Sequence, residues 1–410
     1  MTSTVGGRRL APKQLAMLLA AAAVSSAGTG VFLATATIFF VRSVGLTGAQ
    51  VGVAASAGAV VGLLLTPVTG RLADRHRVVT VLVLVLAVRA VAYGSLAAAD
   101  GFALYFAAVV VGLSGDQVTP PLQQAIVGQW VTGRDRPRTL GTLRAVRNIG
   151  LSAGLAVGGV LLLAGSELPV RAALLVNGLS YLVLAAAYRR ISRDLGVDDA
   201  PLATPERPQR VPYRPLLALA AGNGALLFHD TLLFVLLPLW VAGNTALPPV
   251  TVAVAMLINT GLTVVLQLWL PRGQFGDGWR RGIVTAAVVM AVAGVTFAVA
   301  DRLPAGAAFA MACAAVLLLT VGENLHAVAS WNLSYAVSPP DRMGEYLSVF
   351  SLGGALQGIA GPLLATLVVL PLLPGGWLVT PLLFGLGCLV VFVVAPRLEA
   401  RVAPAESTEV

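Results

Sequence analysis

Runs of roughly twenty mostly apolar residues recur along this whole chain, and a helix of that length spans the ~30 Å of hydrocarbon in a bilayer. They fall at residues 15–41, 49–69, 78–99, 102–127, 139–164, 168–188, 216–241, 247–270, 281–300, 304–333, 344–370 and 376–396. Of the 410 residues, 57% are hydrophobic and 11% are charged, against about 25% charged in soluble domains. Backbone groups in lipid must be satisfied within their own segment, and the alternating pattern of a barrel is missing. The chain therefore reads as an all-α membrane protein of twelve transmembrane helices.

The basic residues are asymmetric. With the N-terminus inside, the cytoplasmic segments hold 21 of them, from Arg8, Arg9 and Lys13 to Arg397 and Arg401; the opposite segments hold Arg42, Arg171 and Arg302. This is the positive-inside rule, and it predicts both termini in the cytoplasm of a multi-pass protein of the cell (inner) membrane. The net charge of +9 thus reports topology, and no nucleic-acid partner is expected. Cys313 and Cys388 lie in predicted spans and read as small packing residues.

The longest polar stretch, residues 189–215, divides a first six-helix bundle (1–188) from a second (216–410) as a cytoplasmic linker. The halves repeat. Gly70-x-x-x-Asp74 is echoed by Gly273-x-x-x-Asp277, Gly115-Asp116-Gln117 by Gly322-Glu323-Asn324, and Gly154 by Gly361, at offsets of 203, 207 and 207. Parallel six-span repeats are one way of building a transporter with its site near the midplane.

Gly70-Arg-Leu-Ala-Asp-Arg75 resembles the signature of the Major Facilitator Superfamily, Gly-x-Leu-Ala-Asp-Arg-x-Gly-Arg-Arg, although the second glycine falls on Arg77 and Val78 follows where a basic residue is usual. The resemblance implies two pseudo-symmetric six-helix bundles and a gating loop of Gly70, Asp74 and Arg75, with the acid facing the start of span 11. The alternative is a solvated loop that only sets topology. Gly150-x-x-x-Gly154-Leu-x-x-Gly158-Gly159 in span 5 looks like the family's antiporter motif, with Leu155 in place of proline. Close helix packing explains the same glycines equally well. The branch it resembles is that of drug/proton antiporters, whose usual arginine early in span 4 is here Ala108.

A charge near the bilayer centre costs at least ~2.5 kcal/mol, so each is a functional candidate. Asp116, Asp230 and Glu323 are candidate proton-coupling acids, with His229 and His326 beside them. Glu323 and His326 share a helix face at i, i+3, whereas His229, the immediate neighbour of Asp230, is read as pointing elsewhere. The resemblance puts all three acids on cavity-lining spans. The alternative for Asp116 is a static buried pair with Arg89 of span 3. Arg144 and Arg147 at the inner end of span 5 are candidates for a cationic part in the coupling, and for Arg147 with Asn148 the favoured alternative is an interfacial anchor. Gln117, Asn324 and Trp331 are candidate substrate-cavity residues, in a cavity whose apolar character suits a lipophilic or amphipathic compound. Trp240, Trp269, Trp279 and Trp377 are read as interfacial rings.

No Gly-x-x-x-x-Gly-Lys-Ser/Thr occurs and Lys13 is the single lysine, so ATP drive is not expected. Nor is an enzyme, a cofactor or a metal site, the three histidines being scattered along the chain. The expectation is a monomeric secondary transporter in the lipid bilayer that moves a small-molecule substrate with protons as the coupling ion. Export is the first reading, proton-coupled uptake the second, and a non-transporting scaffold or intramembrane enzyme a third.

Overall fold

The computed structural model of the chain describes residues 10–133, 135–163, 167–196, 212–243, 247–248, 250–270 and 278–402. The repeat partners Gly273 and Asp277, linker residues 197–211, and Arg8, Arg9, Arg134 and Arg272 lie outside the described residues. Twelve helices are long and apolar enough to cross a membrane. They are α1 (Pro12–Arg42), α2 (Gly48–His76), α3 (Val78–Ala98), α4 (Phe102–Trp130), α5 (Asp135–Leu163), α6 (Glu167–Asp194), α7 (Tyr213–Gly243), α8 (Val250–Trp269), α9 (Arg280–Ala300), α10 (Ala305–Ala336), α11 (Pro340–Leu372) and α12 (Gly375–Val402). No strand occurs among the described residues.

Each predicted span has its helix, and several helices outrun their apolar run. α2 continues through the polar segment Gly70–His76 that reads as a loop in the sequence. Hydropathy falls where lipid ends, whereas the i to i−4 ladder continues as long as the backbone geometry holds. Thr47 starts α2 with a capping box: its hydroxyl accepts from Gln50 N at 3.2 Å and Gln50 Oε1 accepts from Thr47 N at 2.8 Å. α2 stops at Arg77, whose φ of 69° lies where an L side chain is strained. That is the position where the signature carries glycine.

The chain forms two compact units. The first holds α1–α6 together with Asp341–Ser348 from the start of α11; the second holds α7–α10, the remainder of α11 from Val349, and α12. In the first, α1 packs on α5 and α6, α2 on α4, and α3 on α4 and α6. In the second, α7 packs on α12, α8 on α10, and α9 on α10 and α12, and α7 meets α11 through Gly353 against the Ala220 carbonyl. The repeated sequence is thus a repeated packing scheme.

Small residues set the closest contacts. A Cβ on Gly150 would lie 2.5 Å from the Ala23 carbonyl, one on Gly158 2.6 Å from Ala34 Cβ, and one on Gly154 would run into the Ala27 carbonyl, all in α1. Gly159 faces open space. The tryptophans correct the interfacial reading: Trp240, Trp279 and Trp377 are at most 3% exposed. Trp240 and Trp377 pack edge to face 5.2 Å apart, Trp240 Nε1 donates to Asp301, and Trp279 Nε1 donates to Glu399 at 2.5 Å. Only Trp269 of the four is exposed.

Two stability outcomes follow for thermal denaturation in detergent. Arg77→Gly removes the strained φ and should leave stability unchanged or raise it by up to about 1 kcal/mol. Gly154→Leu should lower it by about 1–3 kcal/mol, because no flexible side chain can yield to the added atoms.

Candidate functional site

Span 4 is built to hold a buried arginine. Gly112 and Gly115 leave the α4 face flat, so that Tyr93 and Arg89 of α3 lie across it: a Cβ at Gly115 would come within 2.5 Å of Arg89 Cγ, and one at Gly112 within 2.8 Å of the Tyr93 ring. Pro120 and Pro121 lie one turn further along α4. Neither has an N–H to give to the carbonyls of Asp116 and Gln117, so the ladder is open beside the acid.

Arg89 is 4% exposed. Its Nη2 donates to Asp116 Oδ1 and to Tyr181 Oη, the latter at 3.0 Å, and its Nη1 donates to Thr119 Oγ1 at 2.9 Å. Tyr93 donates to the other oxygen of Asp116 at 2.6 Å. The guanidinium also stands 4.1 Å from the centre of the Tyr181 ring, and Tyr181 Oη meets Thr29 Oγ1 of α1 at 2.9 Å. Burial of one charge pair is offset when the remaining polar atoms find partners; here both Nη atoms and both carboxylate oxygens have them, while Arg89 Nε has no hydrogen bond. Tyr93, Thr119, Tyr181 and Thr29 escaped the sequence reading; Arg89-x-x-x-Tyr93 was the one local signal, since residues four apart share a helix face.

A cavity of about 470 Å³ opens beside this network, inside the first unit. Its basic lining residues are Arg89, Arg144 and Arg147, its single acid is Asp116, and Ala22, Leu33, Leu151 and Leu184 give it an apolar side. The Asp116 side chain is 34% exposed while that of Arg89 is 5%. Arg147 donates to Gln123 at 3.3 Å across the cavity wall, with Asn148 beside it. Arg144, Arg147 and Asn148 therefore line the cavity, where the sequence alone favoured an interfacial anchor for Arg147 and Asn148. Gln117 does not join them: it is turned toward α2, its Cγ 2.8 Å from where a Cβ of Gly62 would stand.

At the end of α2, Asp74 accepts from Gly344 N at 2.7 Å and from Glu345 N at 2.8 Å. It caps the first turn of α11, where backbone N–H groups have no helical partner and the helix dipole favours an anion. Gly70 and Gly344 allow the approach: a Cβ on either would come within 2.8 Å of the other's carbonyl oxygen. Arg71 Nε donates to Glu345 Oε1 at 2.7 Å, and Arg342 pairs with the second oxygen. Arg75 is exposed, and the basic partners of Glu345 at this helix start include Arg71, which the motif leaves as a variable position, and Arg342.

In the second unit, α7 is irregular where its acid sits. Its α-helical stretch ends at Leu226; His229 and Asp230 follow in the short turn Phe228–Thr231, and Leu232–Leu236 is π-helical. One ligand-capable atom each of His229, Asp230 and Glu323 lies within 4.8 Å of the others. The His229 ring also packs edge to face on His326 at 5.9 Å. His229 Nδ1 stands 3.3 Å from Asp230 Oδ1, which corrects the reading of His229 as pointing elsewhere than its neighbour, and the packing gathers histidines that the sequence scatters. Asn324 is 1% exposed and ties α10 to Thr263 of α8 at 3.1 Å; it is a structural tie. Trp331 is half-buried two turns beyond Glu323.

Comparisons with known proteins agree with this architecture. The model of the Major Facilitator Superfamily matches residues 18–362. No curated protein sequence matches the chain. Among solved structures, the human organic anion transporter MFSD10 (TETRAN) superposes with a TM-score of 0.71 at 16% identity, over 93% of this chain and 100% of that one. A bacterial homologue of the iron transporter ferroportin, in its outward-facing state, gives 0.66 at 17% identity over 94% and 99%. The Escherichia coli fucose:proton symporter FucP, in its outward conformation, gives 0.65 at 14% over 94% and 98%. At these identities the likeness is one of fold. The chain belongs to the Major Facilitator Superfamily and is a membrane transporter, not an enzyme.

Proposed function

We propose that this transporter moves a small amphipathic solute with an anionic end, driven by protons that load on Asp116. The observation that carries this reading is the charge balance of the first unit's cavity, three arginines against one carboxylate. Three guanidinium groups around one carboxylate favour an anion, and guanidinium groups match carboxylates, sulfonates and phosphates in geometry. The apolar side of the cavity suits a hydrocarbon body. This narrows the lipophilic or amphipathic substrate expected from the sequence, and the similarity of fold to a human organic anion transporter is consistent with it.

The ion pair gives the coupling its sign. An anion held near Arg144 and Arg147 repels the Asp116 carboxylate that lines the same cavity. A proton on Asp116 in turn releases Arg89 to the anion. By reciprocity the two ligands promote each other's binding, so they travel together, and an inward proton gradient drives uptake. Export by exchange, the first reading of the sequence, needs proton and solute to compete. The antiporter-like glycines that favoured it pack α5 on α1, a contact that serves either direction. Asp74 is proposed as the latch, made on the start of α11 in one state and released in the other.

Reconstituted into proteoliposomes with an acid exterior, the protein should accumulate amphipathic carboxylates or sulfonates and not the matching amines. Asp116→Asn should abolish gradient-driven accumulation while keeping downhill exchange. Arg144→Gln with Arg147→Gln should raise the KM for anions at least tenfold, as loss of charge-assisted contacts worth ~1.5–3 kcal/mol requires. Asp74→Asn should lower the turnover rate with anion binding unchanged. Accumulation of amines, or indifference to the arginine substitutions, would refute the assignment.

A further inference from the structure

The second unit carries an acid pair with a different means of neutralisation. Glu323 is 8% exposed and His229 3%, and both stand with Asp230 at the irregular stretch of α7. The first unit balances Asp116 with Arg89, but no lysine or arginine occurs between residues 215 and 271, which include α8 and nearly all of α7, nor within α10. Two carboxylates brought together with a buried histidine on these helices form a group whose charge a dication would neutralise.

We infer that His229, Asp230 and Glu323 form a binding site for a divalent first-row transition-metal ion, independent of the cavity in the first unit. One imidazole and two carboxylates make a mixed nitrogen and oxygen set that suits manganese, iron, cobalt or zinc better than magnesium or calcium. A dication neutralises both acids at once. Donors of one tetrahedral ion lie about 3.4 Å apart, so the 4.8 Å spread needs only a small contraction, and the Asp230 side chain, 46% exposed, has room to make it. His229 Nδ1 already stands 3.3 Å from Asp230 Oδ1.

The surroundings are those of an oriented ligand set. Asn259 Nδ2 of α8 donates to Glu323 Oε2 at 3.0 Å and to Thr320 Oγ1 at 3.1 Å, which fixes the carboxylate from behind. His326, one turn beyond Glu323, places its ring against His229 and is held through Nε2 by Asn223 Oδ1 at 3.0 Å, an oxygen that also accepts from Ser330. Irregular turns of membrane helices recur at ion sites, because they break the regular spacing of side chains and free backbone carbonyls. Glu323 and His326 at i, i+3 present a carboxylate and an imidazole on one face of α10. The exposed Asp230 carboxylate gives the ion its way in and out.

The test is Co²⁺ binding to the full-length, tag-free protein in detergent after treatment with a chelator, followed through the visible absorption bands of the coordinated ion. One Co²⁺ should bind per chain and be displaced by Zn²⁺. His229→Gln and Glu323→Gln should each weaken binding at least tenfold. Asn259→Ala, which keeps every ligand, should weaken it about tenfold, and His76→Gln, at an exposed histidine, should leave it within twofold. Helical content and monodispersity, measured on each variant, identify any that fails to fold, and Asn259→Ala then carries the comparison. Absence of Co²⁺ bands in the parent protein, or equal binding by the folded Glu323→Gln variant, would overturn the site and leave protonation as the means of balancing these acids.

Discussion

The buried ion pair of Arg89 and Asp116 is the interaction on which the first unit's chemistry depends. A lone charge in hydrocarbon is expensive, and a pair is tolerated only when its leftover donors and acceptors are satisfied. Tyr93, Thr119 and Tyr181 bond the two Nη atoms and the second carboxylate oxygen from α3, α4 and α6, and Thr29 of α1 bonds Tyr181 in turn, leaving only Arg89 Nε of the guanidinium nitrogens without a hydrogen bond. The same pair is off balance by design: Arg89 is sealed in while Asp116 keeps a third of its side chain open to the cavity. In the proposed mechanism a proton reaches the acid without unpacking the arginine, and the positive charge then serves the anion in the cavity.

The two units share a packing scheme but not a chemistry. Small residues bring α5 to α1 and α11 to α7 in the same way, and the helix pairings of one half recur in the other. Asp116 and Glu323 are repeat partners, yet the first is matched by an arginine on the next helix and the second by an asparagine on α8 and a histidine and aspartate on an irregular α7. Duplicated backbone contacts fix where the acids sit. The residues packed around each acid decide what it can exchange.

The fold was legible because hydropathy reports the bilayer directly: twelve apolar runs gave twelve helices, with errors only where polar residues continue a helix beyond lipid, as Gly70–His76 does. The acids were legible for the same reason, each being a costly exception within an apolar run. Their partners were not. Tyr93 and Tyr181 look like ordinary packing residues until α3 and α6 are seen together, and Gln117 was picked by adjacency although a step of one residue turns a side chain by about 100° around the helix. His229, read as pointing elsewhere than its neighbour Asp230, comes beside it on an irregular α7, and the change from α to π geometry after Thr231 has no signature in that apolar sequence. The strained Arg77 was visible as a departure from a glycine position, without its conformational reason.

The sign of the proton flux tests the central claim most directly. Proteoliposomes loaded with a pH-sensitive dye and held at zero voltage should acidify inside when an amphipathic arylsulfonate is added outside, since a sulfonate carries no proton of its own and any proton that enters must come through the protein. Acidification that is lost in Asp116→Asn is the predicted result. Alkalinisation of the lumen, meaning that protons leave as the solute enters, would contradict the account and restore exchange as the mechanism.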